Sequence, residues 1–178
     1  MRRTLTSLLL TICVASSAQN YSPADDGSTV SFKIKNFGST VNGTFKGLKG
    51  TIAFDAAAVT DARFDVTINA ATIDTGIGMR DNHLRKPEYF GVTDFPTIRF
   101  VSTKVEKSGK ANEAIITGKL TIKKTTKEIS FPFRFDEANG VMQFTGEFKI
   151  NRRDFSVGGS SISLADELTV FLDVKTSR

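Results

Sequence analysis

Apolar side chains fall on every second position in segment after segment of this chain, a period that suits only β-strands. Val30, Phe32 and Ile34 alternate with Ser31, Lys33 and Lys35, and Ile129, Phe131, Phe133 and Phe135 alternate with Ser130, Pro132 and Arg134. The same rhythm runs through Val41–Phe54, Phe64–Ile68, Ile98–Phe100, Ile116–Ile122, Met142–Ile150 and Leu168–Val174, about eight strands in all. Asp55–Asp61, the polar run Lys123–Lys127 and the Asn139-Gly140 pair within Asp136–Gly140 are short, turn-like connections. Strands joined this way are antiparallel neighbours. Eight of them favour a closed up-and-down barrel or a two-sheet sandwich, and closure removes the exposed edges that invite aggregation. Gly43, Gly47 and Gly50 interrupt the second strand, where glycine marks a bulge, a bend or a close backbone approach. Pro132 requires an edge or a bulge.

One segment departs from the period. Between about Met79 and Phe90, the residues Met79, His83, Leu84 and Phe90 share a face at helical spacing. Asp81 lies early and Arg85 and Lys86 late, as the helix dipole favours. Pro87 breaks or kinks the helix. A single helical insertion in an all-β chain suggests a lid or plug on a barrel. Residues 155–166 read as a loop rich in glycine and serine.

The N-terminus reads as an export signal: Arg2 and Arg3, the apolar run Thr4–Val14, then small residues ending at Ala18. Cleavage after Ala18 leaves one domain over residues 19–178, large enough to fold without staples. The single cysteine, Cys13, lies inside the signal, and Ile12 before it argues against lipidation, so the mature domain has no thiol. Removing Arg2 and Arg3 takes the formal net charge from +5 to +3, well short of a nucleic-acid footprint. No second apolar run approaches a membrane span. The unusual composition is aromatic, with fifteen Phe, two Tyr and no Trp. That much Phe packs a dense sandwich or lines an apolar cavity.

Little in the chain suggests catalysis or metal binding. His83 is the only histidine, and Asp81 and Glu88 do not complete a ligand set with it. The plainer expectation for His83 is a buried or hydrogen-bonded structural role. Gly76-Ile77-Gly78 lacks a phosphate-loop signature and reads as a turn. Arg80 and Asp81 are expected to form an ion pair or cap holding the helix to the barrel, rather than a catalytic dyad. Lys119, Lys123, Lys124 and Lys127 are expected to form a solvated face, and an apolar row such as Ile129–Phe135 suits a core better than a base-stacking platform. Asn42-Gly43-Thr44 matches a glycosylation sequon.

Four blocks carry a family resemblance. They are Gly43–Asp55; Ile73-Asp74-Thr75-Gly76 with Arg80–Leu84, Tyr89-Phe90 and Phe95–Phe100; Gly118–Lys123 with Thr126-Lys127 and Phe131-Pro132; and Ile150–Phe155 with Asp166-Glu167-Leu168. In order and spacing they resemble the YceI-like family of lipid- or polyisoprenoid-binding, lipocalin-like barrels, over nearly all of residues 21–177. The resemblance implies an eight-stranded antiparallel barrel with one short helical segment, a long apolar tunnel for an isoprenoid or other lipid chain, and export to the periplasm. The start Tyr21–Ser28 lacks the histidine that members often carry there.

The expected protein is thus an exported carrier or scavenger of an isoprenoid or fatty chain, periplasmic or secreted, a binding module and not an enzyme. It needs no cofactor, metal or nucleic acid, and a homodimer is left open. The alternatives are an enzyme acting on an apolar substrate near His83, and a partner-binding sandwich with a filled core. Parity assigns Phe32, Phe45, Phe64, Val66, Ile68, Phe100, Leu120, Phe131, Phe133, Phe144 and Phe148 to the lipid-contacting lining, with Phe131 and Phe133 foremost. Met79, Leu84 and Phe90 are expected to close one end from the helix.

Overall fold

The computed structural model describes residues 18–177. The expected signal segment, with Cys13, therefore lies outside the described residues. Eight strands form one closed antiparallel barrel in sequence order: β1 (Gln19–Asn36), β2 (Ser39–Phe54), β3 (Arg63–Asp74), β4 (Thr97–Lys107), β5 (Glu113–Ile122), β6 (Thr125–Ala138), β7 (Val141–Asn151) and β8 (Leu164–Ser177). Closure is made by β8 against β1, with Phe32 opposite Val170 and Ile34 opposite Leu168. The outer face carries charge, including the ion pairs Arg99–Asp65 and Lys149–Glu167. No helix among the described residues is long and apolar enough to cross a membrane.

The ladder is incomplete at places that matter for the site. β6 pairs with β7 only from Phe133 onward, so its first half is bonded to β5 alone. Pro132 sits where β6 parts from β7, the edge-like position a strand proline needs. A 3₁₀ turn at Arg152–Phe155 packs against this opening, with the buried Phe155 among Leu120, Ile122, Ile129, Phe148 and Ile150. Between β1 and β2 the register shifts from Tyr21 to Val30, and the Asp25 carboxylate accepts the amides of Gly47 (2.9 Å) and Leu48 (2.8 Å). The stretch Tyr21–Ser28 thus belongs to β1, and none of its residues lines the main cavity.

The helical insertion is shorter than the spacing predicts. Helix α1 spans Gly78–Leu84 and stops short of Phe90. Lys86 precedes Pro87, a position that disfavours helical backbone. The chain turns instead, with the amides of Phe90 and Gly91 bonding back to the carbonyls of Leu84 and Lys86.

Inside, the barrel is built in two halves. The half holding the starts of β1, β3, β5 and β7 is packed solid. Phe54, Phe64, Phe133, Phe135 and Phe144 interlock there with Tyr21, Ile52, Val105, Ile116 and Met142. Their rings meet edge to face, with Phe54–Phe135 at 4.8 Å and Phe64–Phe144 at 5.4 Å between centroids. Such pairs add to the area they bury. The 3₁₀ turn Ala56–Asp61 closes this end, burying Val59 and Ala62 in the same cluster. The apolar space implied by the resemblance therefore does not run the full length of the barrel. The large apolar cavity lies in the other half, beneath α1, while the packed end keeps only a smaller, mostly polar pocket beside Gln19, Asp55 and Glu137.

Candidate functional site

The open half encloses a cavity of about 370 Å³, within the ordinary range for small-ligand pockets. Every strand contributes to it. Val30, Phe32 and Ile34 of β1 face Leu168, Val170, Leu172 and Val174 of β8, all on the inward parity. Phe45, Val66, Ile68, Ile98, Phe100 and Leu120 continue the wall through β2–β5, and Phe131 and Phe148 complete it on β6 and β7. Phe131 and Phe148 stack at 4.5 Å and form the boundary with the packed half. Above, Leu84 and Phe90 close over the wall, Phe90 meeting Phe45 edge-on at 5.5 Å.

Two strand glycines make this wall possible. A Cβ on Gly43 would lie 2.3 Å from the Phe32 ring, and one on Gly118 would lie 2.5 Å from the Phe100 ring. The rings therefore lie flat over bare backbone, leaving the middle of the lumen empty. This is the close approach that a glycine on an inward strand position signals.

Ten residues assigned to the lining from parity border the cavity: Phe32, Phe45, Val66, Ile68, Leu84, Phe90, Phe100, Leu120, Phe131 and Phe148. Four do not. Phe64, Phe133 and Phe144 point inward, but from the packed half, where other rings fill the space around them. Met79 is 85% exposed and closes nothing, because α1 turns its Arg80–His83–Leu84 side to the cavity and Met79 to solvent. Sequence reasoning missed the β8 row, although its alternation was visible, and also Tyr89 and Ile98.

Ser31 and Thr67 on the strands apart, the polar lining is at the mouth. Thr75, Arg80, His83, Tyr89 and Arg152 lie there, with Asn36. His83 is exposed rather than buried. It makes no side-chain hydrogen bond among the described residues, and its ring meets Tyr89 edge-on at 4.9 Å. Of the ion pair or cap expected of Arg80 and Asp81, the pair is not formed, and both residues instead anchor the helix on Thr75. Arg80 donates to the Thr75 hydroxyl and carbonyl, both at 2.7 Å, while buried Asp81 accepts from the Thr75 amide at 2.9 Å and hydroxyl at 2.5 Å. Arg85 adds bonds to the carbonyls of Ala71 and Ile73. Together they fix α1 to the end of β3.

The opposite rim is held by one buried cation. Arg152 donates to the carbonyls of Val157, Gly159 and Ala165 and pairs with Asp166 at 2.8 Å. Arg152 lies in the Ile150–Phe155 block with Asn151, but nothing in the sequence marked it as buried: Asn151 caps the turn and Asp166 takes the charge. Lys123, expected in a solvated face, instead reaches the carbonyls of Pro87 (2.8 Å) and Ser156 (3.0 Å), tying both cavity loops together. No group of three metal-ligating side chains occurs among the described residues.

Comparison with known proteins follows the same outline. The YceI-like domain family matches residues 21–176. Protein YceI of Salmonella arizonae is 34% identical over 181 residues, covering 97% of this chain and 93% of that protein. The crystal structure of Burkholderia cenocepacia BcnA superposes with a TM-score of 0.82 at 26% identity, over 87% of this chain and 99% of that one. A polyisoprenoid-binding domain from Saccharophagus degradans, implicated in plant cell wall breakdown, shares the fold with a TM-score of 0.72 at 15% identity, over 91% of this chain and 99% of that one.

Proposed function

This chain belongs to the YceI-like family, and from that premise we propose that its open half binds the hydrocarbon chain of an isoprenoid or other long-chain lipid. The observation that carries the proposal is the cavity, a mostly apolar space walled by strands and roofed by Leu84 and Phe90, with its charged groups at the mouth. Each methylene moved from water into such a wall contributes ~0.8 kcal/mol before the costs of binding. Eight buried methylenes therefore supply roughly 6 kcal/mol gross, enough to begin to hold a chain without any directed bond. The Saccharophagus polyisoprenoid-binding domain, which has the same fold, supports this ligand class.

Binding alone accounts for the site. His83 has no carboxylate or nucleophile bonded to it, and Arg80 and Asp81 are spent on Thr75. We read the protein as a carrier or scavenger that leaves the cytoplasm by the segment ending at Ala18 and works in the periplasm or outside the cell. N-terminal sequencing of the mature protein should then begin at Gln19.

The decisive experiment extracts the purified protein and identifies any bound lipid by mass spectrometry, then offers delipidated protein quinones, prenols and fatty acids. One chain lipid per protein, rebound after extraction, is expected. Failure to bind any of the three classes removes the reading. His83→Gln should leave lipid binding intact; loss of a turnover by that variant would favour the enzyme instead.

A further inference from the structure

The large apolar side chains left in solvent are concentrated at one end of the barrel. Phe37 is 84% exposed, Ile77 53%, Met79 85%, and Ile162 is fully exposed. Phe37 is the tip of the β1–β2 hairpin, Ile77 and Met79 lead into α1, and Ile162 lies in the loop before β8. All three connections lie at the cavity end, and the Phe37 amide bonds the Ser163 carbonyl, which brings two of them together. The fourth connection at this end, between β5 and β6, carries Lys123 and Lys124. At the packed end the hairpin turns are Ser108–Asn112 and Asn139-Gly140, which are polar or small. Ile115 and Val141, the other exposed apolar residues, lie within strands and are more covered.

Folding explains none of the four. Phe37 has φ +48°, a left-handed conformation that suits Asn or Gly and costs a bulky residue energy. Ile77 occupies the N-cap of α1, where Ser, Thr, Asp or Asn would accept a backbone hydrogen bond and Ile makes none. None of the four lines the cavity. They are apolar, solvent-facing and grouped around the opening. Exposed apolar groups arranged so mark a contact surface.

We propose that this rim docks on a lipid bilayer, with Phe37, Ile77, Met79 and Ile162 entering the headgroup region so that the cavity mouth faces the membrane. The proposal rests on the lipid reading above, because a chain lipid resides in membranes and enters water only at high cost. Docking lets the chain pass between bilayer and cavity without crossing water. Lys35, beside Phe37, and Lys124 supply cations at the headgroup level. Glu88, Asp94 and Asp154 share this end, so apolar insertion carries most of the contact and anionic lipid adds little.

The test compares the parent with a variant carrying Phe37→Asn, Ile77→Ser, Met79→Gln and Ile162→Ser. Both are sedimented with vesicles of phosphatidylethanolamine and phosphatidylglycerol, and both are offered a prenol delivered from cyclodextrin. The parent should sediment with vesicles, and the variant's partitioning should fall about tenfold or more. Its melting temperature should not fall, since Asn suits position 37 and Ser the N-cap at 77, and its affinity for cyclodextrin-delivered prenol should stay at the parental value. Equal partitioning of the two proteins, or no partitioning by the parent, overturns the proposal. So does self-association of the parent without vesicles that the variant lacks, since the rim would then cover a second copy of this chain. Failure of both proteins to take up prenol defeats the lipid reading instead, while sedimentation still decides the rim.

Discussion

Phe131 and Phe133 stand two residues apart on β6, share a parity and point into the same barrel, yet they lie in different surroundings. Phe133 meets Phe64, Phe135 and Phe144 and has no free space beside it. Phe131 stacks on Phe148 and has the cavity on its other side. The two halves of the barrel are made from the same strands and the same residue types. They differ in what occupies the inward positions and in what closes the end. The packed half sets Phe against Phe and is closed by a compact 3₁₀ turn that buries Val59 and Ala62. The open half places Gly43 and Gly118 opposite its rings and is closed by longer segments, 75–96 and 152–163, held by arginines as well as by apolar side chains such as Phe155 and Phe90. A barrel can thus assign stability to one end and ligand space to the other.

The largest expected effects would break the packed half. Phe144→Ala should cost about 3–5 kcal/mol in denaturant unfolding, as truncation of a fully packed ring does. Phe32→Ala, in the open half, should cost about half that or less, because its ring already borders empty space. Equal losses would erase the distinction between the halves.

Arg152→Met should cost about 2–4 kcal/mol, because the carbonyls of Val157, Gly159 and Ala165 lose a buried charged donor. Hydrogen exchange should rise in residues 156–165 before it rises in the packed strands. Uniform exchange across the molecule would show that the rim is not a separate unit.

Leu120→Trp sharpens the comparison with little change in stability. Added volume at that wall should lower prenol affinity at least about tenfold, while the melting temperature moves little, since the ring enters existing space. Unaltered affinity would take Leu120 out of the binding wall.

The smallest effect lies outside both halves. The hydrogen bonds that Asp65 accepts from the Arg99 guanidinium, with added charge attraction, hold its carboxyl below the usual range against a weaker opposing effect of burial. A lowered folded pKa gives stability that is present above the unfolded Asp value of about 4 and is lost as pH falls through the folded value. The pair is exposed, so Asp65→Asn should cost under about 1 kcal/mol at neutral pH and flatten the acid limb slightly.

How much of this was legible in the sequence follows from what alternation encodes. Period two reports which side of a sheet a residue faces, so all eight strands and the inward direction of Phe64, Phe131, Phe133 and Phe144 could be read directly. It does not report depth along the barrel axis, which depends on strand stagger and on what closes each end. Phe131 and Phe133 were therefore inseparable. Helical spacing located α1 but placed Met79 with Leu84, because a helix this short has few packed positions to fix its rotation. Arg152 and Lys123 look like any surface cations until the loops they bind are in place.

The central claim is that a chain lipid enters the open half and leaves the packed half alone. The most direct measurement is the methyl NMR spectrum of delipidated protein titrated with a prenol. Signals of Ile68, Leu84, Ile98 and Leu168 should shift and saturate at one equivalent, while those of Ile52, Val59, Val105 and Met142 stay in place. Shifts at the second group, or none at the first, would contradict the account.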